Sequence, residues 1–407
     1  MKSRYLQKGI DETAFAHRKM AFVSGPRQCG KTTMAKLMQK KHGVTAYHNW
    51  DDVAFRRMWT KDPKLALPGD EGGQDRMVIF DEIHKAKRWK SSLKGVYDTL
   101  ANHVDIMVTG SVRLNAYRKA GDSLVGRYFH YRLHPFSLSE MRALSPPSPD
   151  TFMQQMRQRE RRPAPCAERD LMALMEYGPF PEPLFAQDMR FTRLWRKTRL
   201  ERVIREDLRD LSRIQELGQV EMLASLLPER VGSPVSVATL RDLLEVSHPT
   251  TTRWLSYLKE LYYLFELKPY SQSVSRSLKK EGKLYLWDSG EVDNRAARFE
   301  NVIALHLLKA CHFWSDLGEG EFSLWYLRNK EHHEIDFLIT RDGVPWLPVE
   351  AKENEIRPSA NWRRFLPQLP CKIGVQVCLR PGVWQGFKED QREVIVASAS
   401  EFLRYLP

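Results

Sequence analysis

One short segment constrains the fold of this chain more than any other, because it needs a strand before it and a helix after it. Residues 25–32 read Gly-Pro-Arg-Gln-Cys-Gly-Lys-Thr and fit the pattern G-x-x-x-x-G-K-[ST]. An apolar run at residues 20–24 precedes this segment, and residues 33–40 continue it with helical spacing. A strand, a glycine-rich loop and a helix N-terminus in this order present backbone N–H groups to phosphate oxygens. The sequence therefore predicts a phosphate-binding loop.

The residue types in this loop suit a nucleotide with bound Mg²⁺. Glycines let the backbone turn tightly, Lys31 supplies a cation to the terminal phosphates, and the Thr32 hydroxyl is a ligand for Mg²⁺. The predicted nucleotide-binding residues are Gly25, Pro26, Arg27, Gln28, Cys29, Gly30, Lys31, Thr32 and Thr33.

A pair of acids follows the apolar run at residues 77–80. Ligands bind at the carboxyl ends of strands in open α/β sheets, so both acids are expected near the phosphates. We predict that Asp81 holds Mg²⁺, mainly through water, and that Glu82 orients and activates the attacking water. The pair also suits the cap of a following helix, which is compatible with catalysis.

A third strand, at residues 106–109, ends in Thr-Gly-Ser. A hydroxyl of Thr109 or Ser111 is expected near the terminal phosphate, and Ser111 is the predicted catalytic one. Arg127, which follows a glycine, is predicted to stabilise transition-state charge, either in its own chain or across a subunit interface. The alternative for Arg127 is a surface salt bridge.

Alternation of short β-rich and helical stretches up to residue 144 predicts an α/β domain with a parallel sheet. Residues 145–166 are rich in Pro, Ser and Arg and predict an exposed linker, helical at most in its centre. Residues 167–290 predict a helical domain, and residues 291–407 a mixed domain of helices and strands. The 407-residue chain is thus expected to have three domains.

The charge balance is basic, with 64 Lys and Arg against 51 Asp and Glu and a net charge of +13. This excess favours a polyanionic partner, although a basic protein without such a partner is the alternative. The five cysteines form no C-x-x-C, no secretory signal is evident and no apolar run is long enough for a membrane span. Reduced thiols and a cytoplasmic location are therefore expected.

Several motifs together resemble those of prokaryotic AAA-type ATPases that carry a C-terminal domain of unknown function. They are GPRQCGKTT at 25–33, YHNWDD at 47–52, VIFDEIHK at 78–85, VTGS at 108–111, the run 123–140, YGPFPEP at 177–183, LYLWDSGEVDN at 284–294 and FEN at 299–301. The resemblance implies ATP as the nucleotide. It also implies an ATPase core, then a helical and winged-helix region, then a domain with a restriction-endonuclease-like fold.

The middle region offers two basic surfaces. Residues 191–211 predict a basic amphipathic helix, which either lines a nucleic-acid path or is a solvated face balanced by acids. Two helices at 236–244 and 250–261, followed by two strands around a basic loop, fit a winged helix. In that interpretation His248, Thr250, Thr251 and Arg253 face the major groove, and Lys279 and Lys280 contact phosphate. A winged helix used for protein packing is the alternative.

The C-terminal region carries an Asp, Glu-x-Lys pattern on two strands, which resembles the motif of restriction-endonuclease-like nucleases. We predict that Asp336 and Glu350, with Glu300 from an upstream helix, bind Mg²⁺, and that Lys352 orients water or stabilises negative charge. Glu334 and Glu353 are alternative ligands, and an inactive nuclease fold is the alternative function.

The leading hypothesis is a Mg²⁺-dependent ATPase that binds DNA and couples ATP hydrolysis to DNA remodelling or to cleavage by the C-terminal domain. DNA is favoured over RNA as the partner, and a branched or forked DNA is expected. The competing hypothesis is a signalling or regulatory NTPase switch with an inactive C-terminal interaction module. A nuclease linked to defence, with cleavage gated by the ATPase, is a third. A second copy of the chain is a further candidate partner, and no interaction with a membrane is expected.

Overall fold

The computed structural model describes residues 2–69, 75–100, 104–110, 124–158, 166–208, 216–271, 281–389 and 391–407. Contacts within this part of the chain define two compact units, Met1–Pro135 and Phe136–Pro407. The first unit contains the predicted phosphate-binding loop. The second contains the regions expected to form the helical and C-terminal domains, and their separation at residue 290 stays a prediction.

The first unit is built on a five-stranded parallel sheet. Its strands are β1 (Met20–Ser24), β2 (Val44–Asn49), β3 (Arg76–Asp81), β4 (Asp105–Thr109) and β5 (Tyr128–Arg132). Their order across the sheet is β2-β3-β4-β1-β5, and every neighbouring pair is parallel. The helices are α1 (Leu6–Thr13), α2 (Lys31–Gln39), α3 (Val53–Lys61) and α4 (Trp89–Asp98). The prediction of a parallel α/β domain is confirmed, and all five strands end at one edge.

The central strands are continuous apolar runs because both faces of the sheet are covered. Every residue of β1 is buried. Phe22 and Phe80 belong to a core that also contains Phe55, Trp59 and Trp89. Burial of each such side chain contributes about 1.5–3 kcal/mol, so the core fixes the strands and thereby the edge at which they end.

The second unit begins with a series of helices. They are α5 (Leu138–Met141), α6 (Pro149–Gln158), α7 (Ala167–Tyr177), α8 (Pro181–Ala186), α9 (Met189–Arg202) and α10 (Leu217–Leu226). Helix α6 lies inside the predicted linker, yet Phe152 and Met156 are fully buried. The Phe152 ring lies 5.7 Å from that of Trp314. The prediction of an exposed linker is therefore wrong for α6, because two apolar residues four positions apart anchor it.

A helix pair and a small antiparallel sheet follow. The elements are α11 (Val237–Leu244), α12 (His248–Glu260), β6 (Leu264–Leu267) and β7 (Lys283–Leu286). Glu245 turns the chain between the helices with a φ of +54°, and the Ser247 hydroxyl caps α12 by accepting from the Thr250 N–H. These elements occur where the sequence predicts them, and the winged-helix assignment stays a prediction. The predicted wing contacts Lys279 and Lys280 lie outside the described residues.

The rest of the second unit is a mixed six-stranded sheet with a long helix. The elements are α13 (Arg295–Asp316), β8 (Phe322–Arg328), β9 (Glu334–Arg341), β10 (Val344–Lys352), α14 (Ala360–Phe365), β11 (Ile373–Cys378), β12 (Trp384–Glu389), β13 (Arg392–Ser398) and α15 (Ala399–Phe402). The strand order is β12-β13-β11-β10-β9-β8. Strand β11 is parallel to β10 and β13, and the other pairs are antiparallel. The mixed sheet is confirmed, while its nuclease-like assignment stays a prediction.

Helix α13 also binds strand β7 directly. Asn301 is fully buried, and its side-chain amide both donates to the Leu286 carbonyl and accepts from the Leu286 N–H, each at 2.8 Å. A side chain thus continues the hydrogen-bonding pattern of a strand, which joins the segment before residue 290 to the segment after it. No helix among the described residues has the length and apolar character that a membrane span requires.

A buried histidine on α13 holds helix α5. His306 Nε2 accepts from the Leu138 N–H at 3.1 Å, and Nδ1 lies 2.7 Å from the Val302 carbonyl oxygen. Nearby, Lys309 forms a buried ion pair with Glu140. Burial lowers the pKa of His306 from 6.5 to about 4, with a further lowering by the Lys309 charge. The ring is therefore neutral in the folded chain.

We expect the second unit to lose stability as the pH falls from 6.5 to about 4, because the unfolded chain binds the proton that folded His306 excludes. The contribution is on the order of 3 kcal/mol and is fully present above pH 6.5. Denaturant unfolding at several pH values measures it. The variant His306→Asn, which does not titrate, should show a shallower pH dependence, and an unchanged slope would contradict this origin.

Candidate nucleotide site and the C-terminal carboxylates

The loop between β1 and α2 depends on two glycines. Gly30 has a φ of +98°, in the left-handed region. A Cβ at Gly25 would lie 2.2 Å from the Leu133 carbonyl oxygen, so a side chain does not fit there. Arg4 supports the loop from outside, donating to the carbonyls of Cys29 at 2.6 Å and His134 at 2.5 Å. The loop is therefore preorganised by its own unit.

Lys31, the first residue of α2, is buried beneath this loop. Its ammonium donates to the carbonyl oxygens of Gly25 at 2.9 Å and Pro26 at 2.7 Å. Both hydrogen-bond partners are neutral carbonyl groups. A phosphate oxygen, which carries negative charge, is a stronger partner for this ammonium than either carbonyl.

Asp81, at the end of β3, accepts hydrogen bonds from three hydroxyl groups. Oδ2 accepts from Thr32 at 2.8 Å and from Tyr47 at 2.7 Å, and Oδ1 accepts from Thr109 at 2.5 Å. These donors come from α2, β2 and β4, so one carboxylate links the loop to both neighbouring strands. Neutral donors orient the carboxylate without neutralising it.

Glu82, next along the chain, has a φ of +58°. Its Oε2 lies 3.5 Å from His84 Nε2 and 3.8 Å from Lys85 Nζ. Burial raises the pKa of Glu82, and the nearby charge of Lys31 partly offsets that rise. The predicted water-activating carboxylate therefore lies within electrostatic reach of the predicted phosphate-binding cation.

The oxygens of Thr32 and Asp81 suit a magnesium ion. They lie 2.8 Å apart, one a hydroxyl and the other a carboxylate oxygen, and both are hard donors of the kind that Mg²⁺ prefers. Lys31, Thr32, Asp81 and Glu82 are thus brought together as the sequence predicts.

Arg127, another predicted site residue of the first unit, has a different position. Arg127 precedes β5, whose first residue lies opposite Met20 at the start of β1. It therefore lies at the amino-terminal edge of the sheet, away from the loop, where it binds both oxygens of Asp98 at 2.6 and 2.9 Å. This corrects the prediction that Arg127 acts in its own chain's site. The Thr109 hydroxyl binds Asp81, and Ser111 lies outside the described residues.

The predicted DNA-contacting helix is only partly exposed along its predicted face. His248 and Arg253 are exposed, and Thr250 is half-buried against the Ser247 hydroxyl, 2.8 Å away. Thr251 is fully buried and donates to the Ser247 carbonyl at 3.2 Å. The prediction that Thr251 contacts DNA is wrong, because it lies on the core side of α12.

The cations of the basic helix α9 likewise fall into two groups, one paired inside the fold and one exposed. Arg196 and Arg199 bind Asp288 and Glu291 at 3.0 and 3.5 Å, and the Arg199 guanidinium lies 4.2 Å from the centre of the Phe180 ring. Other cations of the helix, including Arg193, Lys197 and Arg202, are exposed. Some cations of the predicted basic face therefore form ion pairs within the fold and do not face solvent.

The predicted C-terminal acids have different ammonium partners: Glu350 contacts Lys352, whereas Glu300 and Asp336 contact Lys283. Glu350 is fully buried, and its carboxylate binds Lys352 at 3.1 Å, Ser359 at 2.6 Å and Asn361 at 3.3 Å. Burial raises the pKa of Glu350. The pairing of Glu350 with Lys352 on one face of β10 agrees with the alternation expected of a strand.

Asp336 and Glu300 instead face Lys283, at 3.5 and 3.2 Å. Among the described residues, no three His, Cys, Asp or Glu side chains are arranged to hold a metal ion. The predicted metal set of Glu300, Asp336 and Glu350 is therefore not assembled, because the Lys283 ammonium lies against two of its carboxylates. These residues do not fit the Mg²⁺ ion that the nuclease motif implies.

Sequence reasoning missed three residues at these sites: Arg4, Tyr47 and Lys283. Arg4 lies far from the motif in sequence and gives no local signal. Tyr47 belongs to the quoted 47–52 stretch, and its position near the end of a strand beside β3 was a usable signal. Lys283 is a lone charge that begins the apolar strand KLYL, and charge in a buried strand indicates an internal partner.

Comparison with known families supports the prediction of a P-loop domain in the first unit. Residues 17–142 match the family model described as an AAA domain, and residues 168–295 match a model described as a domain of unknown function, DUF8612. The first match confirms a P-loop domain of the AAA type. The second confirms a domain of unknown function, although the match covers the central part of the chain.

The relatives of the whole chain are uncharacterized proteins. One, from Haemophilus influenzae, is 22% identical over 390 residues, which are 87% of this chain and 88% of the relative. Another, from Mycobacterium tuberculosis, is 22% identical over 340 residues, 80% of this chain and 69% of the relative.

Two solved structures align with this chain. A Walker-type ATPase of Pyrococcus abyssi aligns with a TM-score of 0.41 and 15% identity, covering 72% of this chain and 94% of that chain. AMPPCP-bound DnaA from Aquifex aeolicus aligns with a TM-score of 0.30 and 13% identity, covering 63% of this chain and 86% of that chain.

The close approach of Gly25 to the Leu133 carbonyl oxygen predicts an effect of substitution on stability. Gly25→Ala should destabilise the first unit by about 1–3 kcal/mol, because the new Cβ meets the Leu133 carbonyl and the backbone must move. Thermal unfolding measures this. Gly95→Ala is the matched control, since Gly95 lies in α4 and a Cβ there meets nothing within 4 Å. It should be neutral or stabilising by up to about 1 kcal/mol. Equal effects of the two variants would contradict the steric argument.

Proposed function

We propose that the first unit binds ATP with Mg²⁺ and hydrolyses it. The observation that carries this proposal is the convergence of Lys31, Thr32, Asp81 and Glu82 at the carboxyl edge of a parallel sheet. A cation, a hydroxyl and two carboxylates at one helix N-terminus are the groups that phosphoryl transfer to water requires.

Each residue has one task in the proposed reaction. The loop N–H groups and the Lys31 ammonium bind the phosphates, and the ammonium leaves its two carbonyl partners to do so. Thr32 and Asp81 hold Mg²⁺, which supplies charge neutralisation when bound. Tyr47 and Thr109 keep the Asp81 carboxylate oriented. Glu82 accepts a proton from the attacking water, and a pKa raised by burial makes it a better base.

Two substitutions should separate binding from hydrolysis. Lys31→Ala should weaken ATP binding and reduce turnover about 100-fold or more, because the phosphates lose their cation. Glu82→Gln should keep ATP binding and still lower turnover about 100-fold or more, because the general base is lost. Binding of a fluorescent ATP analogue and release of phosphate measure the two effects.

Lys40→Ala is the matched control, since Lys40 is an exposed lysine that directly follows α2. It should leave both quantities unchanged. If Glu82→Gln hydrolysed ATP at the rate of the unaltered chain, the proposed base would be wrong while nucleotide binding at the loop would stand.

We further propose that the second unit binds DNA, with the exposed face of α12 as a contact. Support comes from the helix pair that precedes a two-stranded sheet, and from the net charge of +13. Arg253 has no ion-pair partner among the residues that the structure describes, so its charge is available to a phosphate or a base edge. The branched or forked structure of the DNA is part of the same proposal.

Arg253→Ala should weaken DNA binding about tenfold, since one contact to phosphate or base is worth about 1–3 kcal/mol. Titration of fluorescent forked DNA at several salt concentrations measures the affinity and its salt dependence. Arg241→Ala is the control, because Arg241 is already bound to Asp242 at 2.6 Å. If both variants bind as the unaltered chain does, α12 is not the contact.

The competing function is a regulatory NTPase switch whose C-terminal region is an inactive interaction module. The contact of Lys283 with the predicted metal ligands favours an inactive region. ATP turnover with and without forked DNA, single-stranded DNA and RNA distinguishes the two functions. Stimulation by DNA supports coupling to a nucleic acid, and no stimulation at low salt supports the switch.

A further inference from the structure

Lys283 is a lysine enclosed among acids. Its side chain is 1% exposed. The ammonium lies 3.2 Å from Glu300 Oε1 and 3.5 Å from Asp336 Oδ1, and it also contacts Glu334. The Tyr326 ring covers it, with 5.6 Å between Nζ and the ring centre. Water has little access to this charge.

The acids compensate the cost of burying the ammonium. Burial disfavours the charged form, but the carboxylates of Glu300, Asp336 and Glu334 outweigh that effect and raise the pKa of Lys283. A buried charge persists only when it is paired in this way. Lys283 is therefore a buried ammonium that three carboxylates surround.

The remaining contacts of these carboxylates come from the protein as well. Tyr285 donates to Glu300 at 2.7 Å, and the Ala351 N–H donates to Asp336 Oδ2 at 2.9 Å. Arg328 lies 3.6 Å from Glu334 Oε2. Glu300 and Asp336 thus each accept a further hydrogen bond, and Glu334 has a second cation nearby. A divalent ion would have to displace these donors and approach a fixed positive charge.

We propose that Lys283 is the built-in cation of this carboxylate cluster, in the place where the nuclease motif implies a divalent metal. The cluster is then a structural ion-pair network that links elements of the fold, and not a metal-dependent cleavage site. Lys283 lies on β7, Glu300 on α13, and Glu334 and Asp336 on β9. One ammonium therefore connects the small antiparallel sheet, the long helix and the mixed sheet, beside the Asn301 contact with Leu286. This proposal does not depend on ATP hydrolysis.

Manganese binding to the full-length chain without nucleotide tests the proposal. We use Mn²⁺ because its unbound form is counted by electron paramagnetic resonance, and the Asp81→Asn background removes the carboxylate of the nucleotide site. In this background, chains with Lys283 should bind no Mn²⁺ at the cluster and should not cleave plasmid DNA in Mn²⁺ or Mg²⁺. Mn²⁺ binding that is lost on adding Asp336→Asn would overturn the proposal, and so would metal-dependent cleavage.

Removal of the lysine should open the site. Lys283→Ala should lose thermal stability in EDTA and recover about 5 °C or more of its Tm on addition of Mn²⁺, because the metal replaces the missing cation. Lys259→Ala is the control, since Lys259 pairs with Glu266 nearer the surface, and it should show no recovery. A folded Lys283→Ala that gains no Mn²⁺ affinity contradicts the proposal. If Lys283→Ala does not fold, Mn²⁺ binding by the chain that retains Lys283 decides alone.

Discussion

The Asp81 carboxylate is the group on which the nucleotide site depends. It receives hydroxyl hydrogen bonds from Thr32, Tyr47 and Thr109, which belong to the loop helix and to the two strands that flank β3. The loop, the sheet edge and the neighbouring Glu82 are therefore positioned relative to one carboxylate. Because all three donors are neutral, the negative charge stays available to a cation. This arrangement explains why a stable α/β core and a reactive site can share the same strand ends.

The second unit contains the opposite arrangement. There the central group is the Lys283 ammonium, and its partners are the carboxylates of Glu300, Glu334 and Asp336. Breaking such a buried pair leaves an uncompensated charge, which costs about 3–5 kcal/mol, so the cluster resists opening. Asp81 is held by neutral hydroxyl donors, whereas Lys283 is held by carboxylates. The first arrangement suits a site that receives a ligand, and the second suits a fixed connection between elements.

The sequence predicted what depends on neighbours along the chain. The loop at 25–33, the acids after β3 and the strand–turn–strand with Glu350 and Lys352 follow from local spacing, which fixes secondary structure and side-chain faces. The position of Arg127 was predicted wrongly because it depends on the direction of β5 in the sheet. That direction places the residue before β5 at the amino-terminal edge. Thr251 was misplaced because its helix face is set by packing. Lys283 was missed because its partners lie on a helix and a strand that only the tertiary fold brings to it.

A cation of this chain can therefore be assigned to a ligand only after its ion-pair partners within the fold are known. Cations such as Arg127, Arg196 and Lys283 already belong to ion pairs of the fold, so the net charge of +13 resides on other side chains. Arg253 is exposed without an ion-pair partner among the described residues, so the DNA proposal depends on cations of this kind. Lys283 matters here in another way, because its ion pairs connect β7, α13 and β9 within the second unit.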